Sequence, residues 1–255
     1  MRKLNEVFIN LNKLIFIIFI LLLPAKADTF GNYKKISKNE VERIINQLNK
    51  KDVYIKTANI AGKAKYLLPL GKKIKLHKTY KIQRDSKLHM NIYFFKVIKV
   101  AEFVSDGAHV EYKRIRKKPK KRDTFKFNLS IFSKHLDLEV TIDELNRVLL
   151  GLNFSEFKDG SYIYEINGNE LSIEQDKITT TIDLVSEQIV RIASKDNRKI
   201  QITYSNFIPI TIKDAGEIQL PLTIRLSTPN FSMKINHEDD IIINRKIKKE
   251  QFLIN

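Results

Sequence analysis

The strongest constraint on the fold lies between Lys81 and Tyr112, where apolar and polar residues alternate along two consecutive segments. Two apolar rows result: Leu88, Met90, Ile92 and Phe94 in the first, then Ile98, Val100 and Val104 in the second. Successive side chains of a β-strand point to opposite faces, so this spacing predicts half-buried strands. The Asp106-Gly107 pair that follows favours a hairpin turn, because both residues tolerate positive φ. We therefore expect antiparallel strands whose two apolar rows share one face.

Two short helical patterns interrupt this alternation. Ser37-Lys38-Asn39-Glu40 has the composition of a capping box and precedes apolar residues at helical spacing, which predicts a helix from about Lys38 to Asn49. Thr141-Ile142-Asp143-Glu144 is a second box, ahead of a helix that should end near Gly151.

The rest of the chain alternates again, almost without interruption from Ser161 to Phe252. The turn residues between the alternating segments divide the whole chain into about ten or eleven short strands. Helices and strands do not alternate, so a parallel sheet is not expected. We predict one mainly β (α+β) domain over residues 28–255, built as an antiparallel meander.

Three short motifs around the first strand pair resemble the LolA/LolB superfamily, whose members bind lipoproteins in open half-barrels. They are Arg84-Asp85, Ser105-Asp106-Gly107 and Val110-Glu111-Tyr112. Asp85 stands where the family pattern has proline, and only Tyr112 remains of its aromatic pair, which indicates a divergent member. The resemblance implies an open antiparallel half-barrel with helices packed across its concave face.

The resemblance also implies a function, namely a carrier or chaperone that moves lipid or acylated lipoprotein toward the outer membrane. Acyl chains bind an apolar cavity without polar chemistry, since each buried methylene contributes about 0.8 kcal/mol. Arg84 takes the position of the arginine that latches the helical lid in the family. Membrane-bound delivery and acceptor proteins are the implied partners. The candidate cavity residues are Leu88, Met90, Ile92, Phe94, Phe127, Leu129, Leu145 and Leu149.

The first 27 residues indicate export. Basic residues precede an unbroken apolar run from Leu14 to Leu23, and Ala25-Lys26-Ala27 supplies a small-residue cleavage site. The run is short for a membrane span, so we expect a cleaved signal peptide and a periplasmic protein, with an uncleaved N-terminal anchor as the alternative. The sequence contains no cysteine, which excludes disulfides and thiol chemistry.

The densest charge cluster follows the hairpin, in a protein whose formal net charge is +17. A secretory signal and the lack of interleaved aromatic residues argue against nucleic acid as the partner. Contact with anionic lipid headgroups or an anionic protein is the better interpretation, beside a merely solvated loop. The basic residues of this segment are Lys113, Arg114, Arg116, Lys117, Lys118, Lys120, Lys121 and Arg122.

No catalytic or metal-binding motif is recognisable. The five histidines are scattered, and no nucleophile elbow or zinc-protease motif occurs. We therefore predict a protein that is not an enzyme and needs no cofactor or metal. The alternative to a carrier is a periplasmic interaction or scaffold protein, whose sheet core is filled by its own side chains and whose basic loop docks a partner.

Overall fold

The structure, a computed structural model, describes residues 36–67, 73–84, 86–115, 123–127, 141–158, 160–196, 199–213, 216–229 and 231–253. The predicted signal peptide lies outside the described residues, as do Leu129 and the basic positions from Arg116 to Arg122.

Helix α1 spans Lys38–Tyr54 and begins where the capping pattern places it. The Ser37 side chain accepts a hydrogen bond from the Glu40 backbone N–H at 3.2 Å, which satisfies one of the free donors of the first turn. Apolar residues at helical spacing form its buried stripe: Val41, Ile44, Ile45 and Leu48. The helix continues past the predicted end at Asn49, because the next turn buries Lys51 and Asp52.

In the described residues, the strands form one 14-stranded antiparallel sheet. They are β1 (Thr57–Leu67), β2 (Lys73–Gln83), β3 (Lys87–Phe94), β4 (Ile98–Asp106), β5 (Val110–Arg114), β6 (Asp123–Phe127), β7 (Ile163–Asn167), β8 (Glu170–Gln175), β9 (Ile178–Asp183), β10 (Gln188–Ser194), β11 (Gln201–Ile212), β12 (Gly216–Thr228), β13 (Phe231–His237) and β14 (Ile242–Ile243). The count exceeds the ten or eleven expected, since strands as short as β14 carry too few residues for alternation to reveal.

The strand order is β6-β5-β4-β3-β2-β1-β13-β12-β11-β10-β9-β8-β7, with β14 paired to β1 beside this path. Each half is a meander, and the two halves meet where β1 pairs with β13. Within the described chain, β6 and β7 are the edges and the sheet does not close. The predicted open antiparallel half-barrel with helices is therefore confirmed.

Close backbone packing marks the junction of the two halves. A Cβ atom added to Gly62 of β1 would lie 2.6 Å from the backbone oxygen of Asn236 in β13. Only glycine fits such an approach without displacing a strand.

The register of β3 and β4 corrects one expectation. Leu88 pairs with Ser105 and Met90 with Phe103, so Val104 lies opposite His89 and on the other face from Leu88. A shift in the ladder between Ile92 and Tyr93 is the cause, because an extra residue in one strand reverses which side chains face inward. The prediction that the second apolar row shares one face with the first was wrong for Val104.

Helix α2 (Ile142–Leu149) lies between β6 and β7 in the chain. Its capping box is complete: the Glu144 N–H donates to Thr141 Oγ1 at 3.1 Å, and the Thr141 N–H donates to Glu144 Oε2 at 2.7 Å. Gly151 follows with φ of +65°, a conformation that ends helices as predicted. The Asn146 side chain donates to the Lys87 carbonyl at 3.3 Å, which holds α2 against β3.

Candidate functional site

The concave face of the sheet is an apolar floor that the two helices cover. Leu88 and Met90 of β3 are buried there, Ile92 is half-buried, and Leu149 of α2 is buried above them. Leu145 is half-buried and packs against the same core. These five predicted cavity residues therefore belong to one cluster, filled by the protein's own side chains.

The other predicted cavity residues lie elsewhere or are not described. Phe94 is exposed at the β3–β4 turn, where its ring meets that of Phe95 edge-on with centroids 4.3 Å apart. Phe127 belongs to β6, and its side chain is not described. Leu129 lies outside the described residues.

Among the described residues, two small cavities lie where α1 and α2 approach each other, apart from an open pocket of about 420 Å³ between α1 and Tyr164. One has a volume of about 20 Å³ and is lined by residues of both helices and of β2, among them Asp52, Ile82 and Arg147. The other has about 10 Å³ and lies beside Leu48 and Phe157. Each could hold about one water molecule. An acyl chain could enter at this junction only if the helices moved.

A charged cluster connects the two helices at this junction. Asp52 of α1 is buried, and its Oδ2 lies 2.7 Å from Nη2 of Arg147 in α2 and 3.6 Å from Nη2 of Arg84. Arg147 also donates from Nε to the Asn153 carbonyl at 2.7 Å. The Asp52 carboxylate thus forms an ion pair with each of the two guanidinium groups, and a buried ion pair is costly to break by removing one partner. One buried carboxylate therefore links α1 to α2.

Arg84, the predicted lid latch, lies at the edge of this cluster. Its Nη1 donates to the backbone oxygen of Asp52 at 3.4 Å, and its Nη2 lies 3.4 Å from Glu156 Oε1. The Arg84 side chain is 38% exposed, whereas that of Arg147 is 12% exposed. Arg84 therefore lies on the solvent side of the helix junction and Arg147 on the buried side.

Neither Asp52 nor Arg147 was predicted as a site residue. The position of Asp52 in the sequence could have revealed its burial, because Asp52 lies four residues after Leu48 and therefore on the apolar stripe of α1. A carboxylate on a buried stripe requires a cationic partner, which predicts an arginine or lysine from another part of the chain. Sequence spacing alone does not reveal which one.

A second contact ties α2 to the centre of the sheet. His237 of β13 is buried, and its Nε2 lies 3.2 Å from the carbonyl oxygen of Leu149 at the end of α2. Burial lowers the pKa of His237 to about 4, so the ring is neutral at neutral pH and its Nε2–H donates to Leu149. The ring meets that of Tyr80 edge-on with centroids 6.1 Å apart. This histidine was one of five without a recognisable pattern.

The described part of the predicted basic segment lies at the β5–β6 hairpin. Arg114 is the last residue of β5 and pairs with Asp123 of β6; its side chain is not described. Lys113 is half-buried, and its Nζ lies 3.1 Å from Oε2 of the buried Glu111. The Lys113 ammonium is thus engaged within the fold. The other six basic positions lie outside the described residues.

Metal-binding groups and membrane-spanning helices are absent from the part of the chain that the structure describes. No three His, Asp or Glu side chains in these ranges are grouped so that they could hold a metal ion. Neither α1 nor α2 has the length and apolar character that a membrane-crossing helix requires.

Solved structures are similar to this chain over most of its length. A LolA superfamily protein from Nitrosomonas europaea has a TM-score of 0.52 and 11% identity, covering 84% of this chain and 97% of its own. An outer membrane lipoprotein-sorting protein domain from Vibrio parahaemolyticus has a TM-score of 0.51 and 10% identity, covering 83% and 96%. A DUF1329 family protein from Desulfovibrio piger has a TM-score of 0.52 and 12% identity, covering 84% and 97%.

No family model and no curated protein matches the sequence. At 10% to 12% identity these structural similarities concern the fold alone. The predicted resemblance is confirmed at that level: the chain has the fold of the LolA superfamily.

Proposed function

We propose that this protein is a periplasmic carrier that binds acyl chains of lipids or lipoproteins on its concave sheet face, for transfer toward the outer membrane. The proposal rests on the way in which helices α1 and α2 cover the concave face. The apolar floor is closed by two helices that meet through a charged cluster, Asp52 with Arg84 and Arg147. The fold shared with a lipoprotein-sorting domain supports the same function.

The exposed part of this junction, where Arg84 meets Asp52, suits a contact that opens and closes. Ion pairs near the surface contribute little net stability, because water solvates the separated charges almost as well. Arg84 is more than a third exposed, so breaking its contacts costs about 1 kcal/mol or less. We infer that Arg84 is the latch, which opens as acyl chains displace the helices and closes again as they leave.

Loading and release can be measured separately. The purified protein is first extracted with organic solvent to detect bound lipid and titrated with a neutral fluorescent acyl probe. Transfer of labelled lipid or lipoprotein from donor to acceptor vesicles is then followed. Arg84→Leu should load the probe like the wild type but transfer about threefold more slowly, because a closing contact of up to about 1 kcal/mol is lost.

Arg191→Leu is the matched control. Arg191 is an exposed arginine of β10 whose Nη2 lies 3.7 Å from Glu170, remote in sequence from both helices. It should leave loading and transfer unchanged. Equal transfer by the Arg84 and Arg191 variants would remove the latch from the proposal, whereas no bound lipid and no probe binding would contradict the carrier itself.

One observation favours the second candidate function, a scaffold protein with a filled core. The cavities at the helix junction measure only about 20 and 10 Å³. A scaffold protein would bind no acyl probe at any probe concentration that leaves the protein folded. The probe titration therefore distinguishes the two functions.

The remaining proposals follow from the sequence. We propose that residues 1–27 are a cleaved signal peptide, which mass measurement of the exported protein would test. Residues 113–122 are proposed to contact anionic membrane or protein, while membrane-bound proteins deliver and accept the cargo. Neither a metal nor a catalytic group takes part.

A further inference from the structure

Among the described residues, a single lysine interrupts the apolar concave floor. Lys78 of β2 pairs with Gly62 of β1 and Ile92 of β3, so its side chain belongs to the same face as Ile92. It is 6% exposed, and its neighbour two residues along the strand, Tyr80, is buried on that face as well. The floor proposed to receive acyl chains therefore contains one buried amine.

This amine lies over an aromatic ring and not beside a carboxylate. Lys78 Nζ is 4.6 Å from the centroid of the Tyr66 ring, a cation–π contact. Among the described residues no acidic group lies within the 4.0 Å of an ion pair, although Arg147 and Lys113 each have such a partner. Lys78 is thus a buried cation whose charge the described chain leaves without a counter-ion.

Lys51 is the other buried lysine without an ion pair among the described residues, and its position is different. It lies in the last turn of α1, where the free carbonyl groups of a helix favour a positive charge. Lys78 is on a strand and lacks that compensation. Burial in apolar surroundings lowers the pKa of Lys78 to about 7, so an approaching anion would favour the protonated form.

We propose that Lys78 is the anion-binding point of the concave face, pairing with the carboxylate of a fatty acid whose chain lies along the apolar floor beside Ile92. The inference rests on the proposed carrier function and narrows its ligand class to single-chain amphiphiles with an anionic headgroup. Tyr66 holds the ammonium in place before the ligand enters. Only the combination of chain burial and ion pairing gives the preference, so free phosphate should not compete.

The test compares two ligands that share one acyl chain and differ in whether the headgroup is charged. Lauric acid and methyl laurate compete with the neutral probe N-phenyl-1-naphthylamine slightly below neutral pH, where Lys78 is mostly protonated. A hydrogen bond between two charged groups is strong enough to favour lauric acid by about tenfold. Inorganic phosphate, added alone, should displace no probe.

Two variants isolate the amine. Lys78→Met keeps the length of the side chain and removes its charge, and it should bind both ligands equally. It should still fold, because removing a buried charge that has no counter-ion also removes the free-energy cost of burying that charge. Lys75→Met is the control, since Lys75 is exposed on the same strand and should keep the tenfold preference.

Each outcome has a distinct meaning. A preference that disappears in Lys78→Met and persists in Lys75→Met supports the site. A preference that survives Lys78→Met, or a wild type that binds acid and ester equally, overturns the site but leaves the carrier function standing. A wild type that binds neither the probe nor the ligands overturns both.

Discussion

Replacing Asp52 by asparagine should destabilise the protein more than any other single change at the helix junction. The carboxylate of Asp52 is 8% exposed and lies 2.7 Å from Nη2 of Arg147, itself 12% exposed. Asparagine has nearly the same shape but no charge, so the buried Arg147 would keep only Asp143, which is 46% exposed and lies 4.0 Å from its Nη1, as a counter-ion. Removing one partner of such a pair costs about 3 kcal/mol, since the remaining charge cannot reach water.

The assay is urea unfolding at neutral pH. For a protein of this size the free energy of unfolding falls by about 2–3 kcal/mol per molar urea, so Asp52→Asn should lower the midpoint by about 1 M. Glu156→Gln is the matched control, because Glu156 contacts Arg84 in the same cluster but is 52% exposed. Its loss should stay below about 1 kcal/mol.

The same variant also tests whether this junction holds the cover closed. If it does, Asp52→Asn should take up the neutral acyl probe faster than the wild type in stopped-flow mixing, while Glu156→Gln should not. Equal losses of stability in the two variants would refute the reasoning from burial. Unchanged uptake with the expected loss of stability would show that the cluster stabilises the fold without controlling access.

Three other predictions concern the sheet and the basic segment. Gly62→Ala should lower the free energy of unfolding by about 1–3 kcal/mol, because its Cβ would meet the Asn236 oxygen at 2.6 Å; an unchanged urea midpoint would contradict this. The pKa of His237 is lowered to about 4 from 6.5, so between these values the unfolded chain binds a proton that the folded protein does not. The free energy of unfolding should therefore fall on acidification, and the fall should be up to about 3 kcal/mol larger in the wild type than in His237→Gln. Parallel pH profiles of the two proteins would refute this prediction. Replacing the basic residues of 116–122 by glutamine should weaken binding to anionic vesicles at low salt by about 1 kcal/mol per residue, measured by co-sedimentation, and leave binding to neutral vesicles unchanged. Equal co-sedimentation of the variant and the wild type with anionic vesicles would contradict the proposed membrane contact.

Local chemistry made much of the fold predictable. Alternation revealed the strands because each apolar residue at every second position faces the core, and the Asp106-Gly107 turn follows from backbone geometry. Asp106 Oδ1 accepts from the backbone N–H groups of Ala108 and His109 at 2.8 and 2.7 Å, which closes that turn locally. The cap of α2 is equally local, since its two hydrogen bonds join residues three apart.

The errors arose where a distant residue decides the outcome. The end of α1 was predicted too early because Lys51 and Asp52 look like solvent-facing residues, yet both are buried in the last turn. The face occupied by Val104 was assigned from spacing within β4, whereas the register with β3 determines it. Neither a burial partner nor a register shift is encoded within a window of a few residues.

From the sequence alone, the chain specifies where its helices and strands begin, that its sheet is antiparallel, and which motifs resemble a lipoprotein-binding fold. Tertiary structure alone decided that Asp52 would meet Arg84 and Arg147, that His237 would hold the end of α2, and that Lys78 would lie on the apolar floor. The physical reason is that hydrogen bonding and side-chain direction are local, while the free energy of a buried charge depends on partners that only folding brings near.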